Sequence, residues 1–564
     1  MKNPLQWPVL RQFREHDLTG RHHAVKSSAT EHLRARTATA DRVTASVCPF
    51  CAVGCAQRVY VKDEKVIQIE GNPDSPISRG RLCPKGSASL QLTTGDSREK
   101  YVLYRRPYAR DWERLDLDAA MDMVAQRVVD TRRETWEWDV DGTRTRRTLG
   151  IASLGGATLD NEENYAIKKL FTALGIVQVE NQARVCHSST VAGLGTSFGR
   201  GGSTTYLQDL QHSDCIIIQG SNFAEAHPVG FQWVMEAKER GAKILHIDPR
   251  FSRTSALADT FVPIRAGTDI AFLGGLINWV VTREAYFREY VLNYTNAATI
   301  LREDFQDTED LDGVFSGFDA SGPSYDPESW QYEGAEVAAS SGERESELAE
   351  RAGTLGESGH AHTHGSGGPS LRGTWRRDET LQDPRCVFQV LRRHYARYTP
   401  EMVEEICGVP QDLFTEVAEA ITANSGRERT TAFAYAVGWT QHSTGVQYIR
   451  AASVLQLLLG NIGRPGGGIM ALRGHASIQG SSDIPTLFDL LPGYLPMPHA
   501  DHHLDLDGYV EADSPDRGFW ANMRAYTVSL LKAWWGDAAT SENDFCFDYL
   551  PRITGSHSTY DTVM

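Results

Sequence analysis

The sequence predicts an α/β protein, with a small cysteine-bearing N-terminal domain followed by open, mostly parallel, Rossmann-like α/β domains. Two observations indicate this fold class. Four of the nine cysteines fall between residues 48 and 83, and from about residue 110 short apolar strands alternate with amphipathic helices. A chain of 564 residues has room for several domains with sizeable buried cores.

The pattern divides the chain into five regions. Residues 1–45 are polar and basic, and we expect an extension there. Residues 46–108 hold the cysteines and an alternating stretch, RVYVKDEKVIQIEG, that predicts a β-hairpin. Residues 109–333 and 374–564 carry the alternating strands and helices, and the acidic, glycine-rich residues 334–373 between them predict a disordered insertion.

Short apolar runs that end in glycine or a turn define the predicted parallel sheet. The expected strands are Thr148–Leu154, Cys215–Gln219, Lys243–Ile247, Thr260–Ile264 and Phe433–Val437. In open parallel sheets, ligands bind beyond the carboxyl ends of the strands. The turns that follow these strands are therefore candidate binding residues.

Charge and hydropathy exclude two classes of function. The net charge of −16 gives no chain-wide basic footprint, so we expect no nucleic-acid partner. The longest apolar stretch, Ile270–Val281, is too short to cross a bilayer and predicts a buried helix. The N-terminus has neither a signal-peptide core nor a twin-arginine pair. We expect a cytoplasmic chain without a membrane span of its own, with any membrane association made through partner subunits.

The cysteine spacing, Cys48-x2-Cys51-x3-Cys55-x27-Cys83, favours a [4Fe–4S] cluster. Four thiolates can each ligate one iron of a cubane. A tetrahedral zinc site is the alternative, although such sites usually pair two CxxC knuckles and the second knuckle is missing here. Lys85 follows Cys83 closely and is either a cation that adjusts a cluster's potential or an ordinary surface lysine.

A second cysteine lies in the run NQARVCHSSTVAGLGTSFGRGG. Cys186 is flanked by Arg184 and His187, and a neighbouring cation favours the thiolate, which ligates metals or attacks substrates. A buried structural cysteine and a cysteine–histidine hydrolase are the alternatives at this stage.

Eight motifs in order then give a specific resemblance. They are the cysteine cluster, CPKG, ENQARVCHSSTVAGLGTSFGRG, GSNFAEAHP, HIDPRFSRTSALAD, IRAGTDIA, GWTQHSTGVQYIR and LRGHASIQGSSDIP. Together they resemble the large subunit of the molybdopterin-dependent formate dehydrogenases, most closely the respiratory type. The resemblance runs from about residue 46 to the end, apart from residues 334–373.

The resemblance implies two molybdopterin guanine dinucleotides around one molybdenum or tungsten. In position, Cys186 matches the metal-ligating selenocysteine or cysteine of the family, and His187 matches a histidine that assists proton movement. Arg450 is taken as the match to the arginine that holds formate. Lys85 matches the lysine between the cluster and the pterin.

The resemblance also implies nucleotide contacts in the turns after the predicted strands. Carboxylates suit guanine N–H donors and arginine suits phosphate. For Asp248 and Asp269, a turn or helix-capping role is the alternative. The candidates are Gly220, Asn222, Glu225, Asp248, Arg250, Gly267, Asp269 and Gln441.

Large subunits of the resembled family are longer, and their third domain continues into a C-terminal β-barrel, which we expect to be absent from this chain. We therefore expect either a truncated product or a separate chain that supplies the C-terminal half, with poor cofactor binding by this chain alone. An iron–sulfur electron-transfer subunit is a further expected partner. Formate oxidation is the predicted activity; a nitrate reductase-like molybdoenzyme and a cofactor-poor structural or electron-relay subunit are the alternatives.

Overall fold

The computed structural model describes residues 4–17, 19, 20, 30, 33–199, 201–319, 321, 322, 324–326, 329, 331–337, 371–478, 481, 484–514, 519–555 and 557. The chain forms two compact units. One comprises Met1–Cys48 and Cys55–Glu99, and the other comprises Pro49–Gly54 and Lys100–Met564.

The smaller unit is built on a three-stranded antiparallel sheet in the order β1-β2-β3. Its elements are α1 (Pro8–Arg14), β1 (Arg42–Val47), β2 (Ala56–Lys62), β3 (Lys65–Gly71), α2 (Pro84–Ser87) and α3 (Ser89–Thr94). Strands β2 and β3 confirm the predicted hairpin. Strand β1 begins at Arg42, so the sheet takes in residues that the sequence assigned to the N-terminal extension.

The larger unit contains the remaining elements. Its helices are α4 (Leu117–Glu134), α5 (Asn161–Ala173), α6 (Gln182–Phe198), α7 (Phe223–Ala226), α8 (Phe231–Glu239), α9 (Arg253–Leu257), α10 (Asp269–Thr282), α11 (Arg288–Tyr294), α12 (Val387–Tyr395), α13 (Pro400–Cys407), α14 (Gln411–Ala423), α15 (Val437–Thr440), α16 (Gly445–Leu458), α17 (Leu506–Asp513) and α18 (Met523–Trp535). Its strands are β4 (Val102–Tyr104), β5 (Glu113–Leu115), β6 (Trp136–Val140), β7 (Thr143–Ser153), β8 (Ile176–Val179), β9 (Cys215–Gln219), β10 (Lys243–Ile247), β11 (Thr260–Val262), β12 (Phe318–Asp319), β13 (Ser324–Tyr325), β14 (Ala335–Val337), β15 (Leu371–Gly373), β16 (Thr431–Tyr435), β17 (Gly468–Ala471), β18 (Leu490–Leu491) and β19 (Leu495–Pro496).

A five-stranded parallel sheet in the order β11-β10-β9-β16-β17 forms the centre of this unit. Successive residues of β9 enter different cores: Ile217 packs with the helices α10, α13, α14 and α16, whereas Ile218 packs with α8. Because both faces are covered, the strands are continuous apolar runs, as the sequence indicates. The chain leaves β9 towards β10 on one side, and β16 returns on the other side, so the strand order reverses between β9 and β16.

A second sheet, β6-β7-β8, pairs β7 antiparallel with β6 and parallel with β8. A third core joins Val177 of β8 to apolar residues between Phe488 and Ile553. Residues 484–557 are mainly helical in their described part, which differs from the α/β pattern predicted to continue through residues 374–564. The short strands β14 and β15 pair with each other; residues 338–370 of the predicted insertion lie outside the described residues.

Candidate active site

Helix α6 carries the cysteine that the sequence singles out. The helix departs from helical geometry at His187, where φ is −125° and ψ is 20°. Cys186, just before this kink, is half-buried. Its sulfur accepts a hydrogen bond from Nε2 of Gln441, 3.7 Å away. The structure therefore brings together two of the predicted site residues from opposite parts of the chain; the side chain of Arg184 lies outside the described residues.

His187 is buried with 1% of its surface exposed. Among the described residues, neither ring nitrogen has a hydrogen-bond partner. Burial lowers the pKa of His187 to about 3, and the charges of Arg473 and His227 act in the same direction. An imidazole in this setting is neutral at physiological pH, and its nitrogens are free to meet a ligand that this protein structure does not contain.

Arg473 is a site residue that the sequence analysis missed. It follows the carboxyl end of β17, and its guanidinium donates to the carbonyl of Gly201 at 3.0 Å. Nε2 of His227 donates to the Arg473 carbonyl at 2.6 Å. Arg473 lies in LRGH, one of the eight motifs, and directly follows a strand end, so the rule applied to the other turns could have found it.

Arg450 lies elsewhere. It is exposed on helix α16, and within the described residues it has no hydrogen-bond or ion-pair partner. Burial raises the pKa of Tyr395 to about 12, and the charge of Arg450 acts against this rise. The structure thus places Arg450 within electrostatic reach of Tyr395 and does not join it to Cys186 or His187.

Gly220 and Gly438, which follow β9 and β16, approach each other closely. Gly438 donates its N–H to the carbonyl of Gly220 at 3.1 Å. A Cβ at Gly438 would lie 2.5 Å from that carbonyl oxygen, and a Cβ at Gly220, whose φ is +63°, would lie 3.0 Å from Trp439. The close approach occurs where the strand order reverses, the place where open α/β sheets bind dinucleotides.

Asn222 and Glu225 form a small polar network after β9. The Asn222 amide donates to Glu225 at 2.6 Å, and its carbonyl oxygen accepts from Thr254 at 2.9 Å. The hydrogen bond from Asn222, aided by Arg253, lowers the pKa of Glu225. Glu225 is therefore an exposed carboxylate at a strand end, the group that the sequence proposed for guanine N–H donors.

Asp248 and Arg250 follow β10. Oδ1 of Asp248 accepts from the backbone N–H of Arg250 at 2.9 Å, which is the turn role that the sequence left open. Its Oδ2 lies 4.0 Å from Nε2 of the buried His246. The Arg250 side chain is exposed, so its guanidinium remains accessible to a phosphate.

Gly267 and Asp269 precede and begin helix α10. The Gly267 carbonyl accepts from the Tyr448 hydroxyl at 3.0 Å. Asp269 is 6% exposed, and its Oδ1 accepts from Gln219 at 2.8 Å and from the indole of Trp439 at 3.0 Å. Burial raises the pKa of Asp269. This oxygen therefore ties the ends of β9 and α15 to α10, and a nucleotide contact by Asp269 stays a prediction.

In the smaller unit, the backbone N–H of Cys48 donates to the carbonyl of Cys55 at 2.8 Å. Cys83 precedes α2, and the sulfur of Cys48 lies 3.4 Å from the position a Cβ would take at Gly86. Lys85 lies on the same short helix. The chain between Cys48 and Cys55, which bears Cys51, belongs to the larger unit.

The cysteines fit the group that their spacing predicts. Cys48, Cys51 and Cys55 are buried, and Cys83 is partly buried. Within the described residues, no three Cys, His, Asp or Glu side chains converge to hold a single metal ion. A cubane has another geometry, because each cysteine ligates a different iron. Buried thiols suit such soft metal ligation.

The comparisons with known proteins decide the family. The model for "Molybdopterin oxidoreductase" matches residues 106–535, and that for "Molybdopterin oxidoreductase Fe4S4 domain" matches residues 41–95. The chain belongs to the molybdopterin oxidoreductase family. The predicted molybdopterin and [4Fe–4S] cofactors are thereby confirmed at the level of the family. The buried Cys48 and Cys55 of the smaller unit, and His187, whose ring nitrogens have no hydrogen-bond partner among the described residues, are consistent with both.

The relatives also confirm the resemblance found in the sequence. The chain is 41% identical to the formate dehydrogenase-O major subunit of Escherichia coli (strain K12) over 526 residues, 91% of this chain and 48% of that protein. It is 41% identical to formate dehydrogenase 2 subunit alpha (cytochrome c-553) of Nitratidesulfovibrio vulgaris over 527 residues, 92% of this chain and 48% of that protein. The chain spans about half the length of these curated relatives.

Among solved structures, acetylene hydratase from Pelobacter acetylenicus superimposes with a TM-score of 0.46 at 17% identity, over 74% of this chain and 44% of that chain. Across the part of this molybdopterin oxidoreductase that the structure describes, none of the helices has the length and apolarity to cross a bilayer. The compartment stays a prediction.

Proposed function

We propose that the chain is the catalytic portion of a formate dehydrogenase, which oxidises formate to CO2 at a bis-molybdopterin guanine dinucleotide centre with molybdenum or tungsten. The proposal rests on two adjacent residues, the half-buried Cys186 and the buried His187. The ring nitrogens of His187 have no hydrogen-bond partner among the described residues. This pairing stands in a chain that is 41% identical to proteins named formate dehydrogenases.

In this proposal Cys186 supplies the thiolate ligand of the metal. The segments after β9, β10 and β11 offer the nucleotide three groups. They are the exposed carboxylate of Glu225, the accessible guanidinium of Arg250 and the backbone of Gly267. A bound metal centre would supply a two-electron acceptor for formate, and a cluster held by Cys48, Cys51, Cys55 and Cys83 would supply one-electron transfer. Lys85 is proposed to stand between cluster and pterin.

Formate is a small planar carboxylate, and a guanidinium fork can bind it through two parallel hydrogen bonds. Arg473 is the arginine whose charge acts on His187, whereas Arg450 is exposed beside Tyr395. From this electrostatic effect on His187 and its position just after β17, we propose Arg473 as the residue that holds formate. The assignment of this role to Arg450 stays a prediction from sequence that no contact in the described residues supports.

Burial lowers the pKa of His187 to about 3, so the imidazole is neutral and a weak base. We therefore propose that His187 acts as a neutral hydrogen-bonding group next to Cys186, and proton transfer by His187 stays a prediction from the resemblance. The same burial excludes water from one side of the site. The electrons then require an acceptor, and we propose an iron–sulfur electron-transfer subunit as a partner of this chain.

The test uses the assembly purified with its natural partners. We expect molybdenum or tungsten by elemental analysis, together with formate-dependent dye reduction. Cys186→Ala should lower this activity at least 1,000-fold, because the metal loses its protein ligand, on the order of 4 kcal/mol of barrier. Cys407→Ala, at a buried cysteine in the core, is the matched control and should retain activity. An assembly without either metal, as expected of a relay subunit, would overturn the proposal.

A further inference from the structure

We infer that Trp439 and Ser189 are positioning residues that hold the side chain of Gln441 against the sulfur of Cys186. The inference deepens the proposed function, since it takes Cys186 as the metal ligand. Strand β16 is followed by the short helix α15 and its C-cap Gln441, together called the β16 turn, whereas Cys186 lies on helix α6. The contact of 3.7 Å between them depends on how this turn is fixed.

The first anchor of the turn is the indole of Trp439. Its Nε1 donates to Oδ1 of Asp269 at 3.0 Å, and the same oxygen accepts from Gln219 at 2.8 Å. The Trp439 ring stacks on Tyr435 with centroids 4.8 Å apart. Trp439 is fully buried, so the donor cannot exchange its partner for water. The turn is thereby tied to the first residue of α10 and to the end of β9.

The second anchor comes from the helix that carries Cys186. Oγ of Ser189 donates to the carbonyl of Thr440 at 2.8 Å. Ser189 is three residues beyond Cys186 on the same helix, just after the kink at His187. Thr440 immediately precedes Gln441. A Cβ at Gly445 would lie 2.9 Å from this serine oxygen, which shows how closely the segment after the turn approaches the helix.

A third contact joins the same two elements. The hydroxyls of Thr190 and Tyr435 are 2.8 Å apart, and both side chains are fully buried. Two adjacent residues of helix α6, Ser189 and Thr190, therefore make buried polar contacts with the segment from Tyr435 to Thr440. Because buried hydrogen bonds have narrow geometric tolerance, these contacts fix the backbone from which the exposed Gln441 side chain reaches the Cys186 sulfur.

The first experiment measures alkylation of Cys186 in the full chain before cofactor loading. Iodoacetamide modification is followed by mass spectrometry at one pH. Ser189→Ala and Trp439→Phe should each accelerate modification about five-fold, because the released turn no longer holds Gln441 over the sulfur, a change of about 1 kcal/mol. Gln441→Ala should give the same acceleration, and Ser189→Thr, which keeps the hydroxyl, should restore the slow rate.

Matched controls separate positioning from loss of packing. Oγ of the buried Ser213 donates to the Gly466 carbonyl at 2.7 Å, so Ser213→Ala removes the same kind of contact at the other end of the sheet. Trp233→Phe makes the same change in a buried tryptophan of α8. Both controls should leave the alkylation rate within two-fold of wild type. Equal acceleration by the controls, or a wild-type rate in Ser189→Ala and Trp439→Phe, would overturn the inference.

The second experiment uses the loaded assembly. Ser189→Ala should lower kcat for formate about ten-fold while KM stays within two-fold, because the anchor acts on the sulfur and not on formate capture. The electron paramagnetic resonance g-values of the reduced metal should shift relative to Ser213→Ala. Unchanged g-values and kcat would refute the role. The alkylation result does not need metal or formate, so failure of the proposed function is distinguishable from failure of this inference.

Discussion

The amide of Gln441 donates to the sulfur of Cys186 across 3.7 Å, and these residues are 255 positions apart in the chain. The contact joins the turn that follows β16 to the helix that begins after β8. It arises because β16 inserts beside β9 in the central sheet. The active-site cysteine is thus placed by a strand from a distant part of the sequence.

The two candidate arginines give opposite predictions. Arg473→Lys should lower kcat/KM for formate about 100-fold, since an ammonium cannot supply the two parallel hydrogen bonds of a guanidinium, a loss of about 3 kcal/mol. Arg450→Ala should stay within about two-fold of wild type. Steady-state kinetics of formate-dependent dye reduction measures both. The reverse pattern would restore the role that the sequence assigned to Arg450.

The close approach of Gly220 and Gly438 leaves no room for a side chain at Gly438. In Gly438→Ala the Cβ would meet the Gly220 carbonyl at 2.5 Å, so the strand ends must separate. We expect a destabilisation of about 3 kcal/mol and loss of bound guanine nucleotide, measured as GMP released by acid hydrolysis. Gly202→Ala is the control, because nothing lies within 4 Å of its Cβ position. A Gly438→Ala protein with full nucleotide content would contradict this prediction.

Three arginine side chains surround the carboxylate of Asp548. It accepts from Arg144 and Arg146 at 2.8 Å and from the buried Arg552 at 3.3 Å. Asp548→Asn leaves these guanidinium groups without a counter-charge. Because Asp548 is partly exposed, we expect a loss of about 2 kcal/mol, less than for a fully buried pair. Chemical denaturation measures it.

Asp507→Asn supplies the comparison, since Asp507 pairs with Arg524 on the surface. That variant should lose less than about 0.5 kcal/mol. Equal losses in the two variants would show that the arginine cluster around Asp548 is no more than a set of surface pairs.

His557 predicts a local sensitivity to acid. Burial, aided by the charge of Arg147, lowers the pKa of His557 to about 4 from an ordinary 6.5. The neutral ring accepts from Arg147 at 3.1 Å. Its contribution to stability is therefore complete above pH 6.5 and is lost as the pH falls towards 4, by at most about 1.4 kcal/mol per pH unit.

Hydrogen exchange of the segment around Asp548 and Arg552 measures this effect. At pH 5 the wild type should exchange faster than His557→Gln, after each is normalised to its own protection at pH 7.5. Identical pH dependence in the two proteins would exclude His557 as the source of the sensitivity.

Four of the five strands of the central sheet were predictable because they are apolar runs, whereas β17 (Gly468–Ala471) was not predicted. The expected strand Thr148–Leu154 was wrongly placed in this sheet, since it forms part of β7 in the second sheet. Cys215–Gln219 and Lys243–Ile247 have the predicted bounds, since each is an unbroken apolar run that ends at a turn residue. The sequence placed the strand at Phe433–Val437, whereas the structure has Thr431–Tyr435. The later apolar residues turn into the short helix α15, whose glycine packs on Gly220.

Contacts between distant segments were not predictable from local pattern. The proximity of Arg473 to His187 follows from the pairing of β17 with β16, and strand order cannot be taken from periodicity. Arg147 likewise contacts Thr554 at 2.9 Å across 407 positions. Asp269 is a further case. Its motif suggested a nucleotide contact, whereas in the structure its buried Oδ1 accepts a hydrogen bond from the indole of Trp439.

The pairing of β14 with β15 has a practical consequence for protein engineering. Ala335 lies opposite Gly373 and Val337 opposite Leu371, so the two attachment points of residues 338–370 are held side by side. Because these two points are neighbours, an inserted segment of any length can start at one and end at the other. An affinity tag or a fluorescent reporter could therefore replace that stretch without changing the separation of the flanking strands.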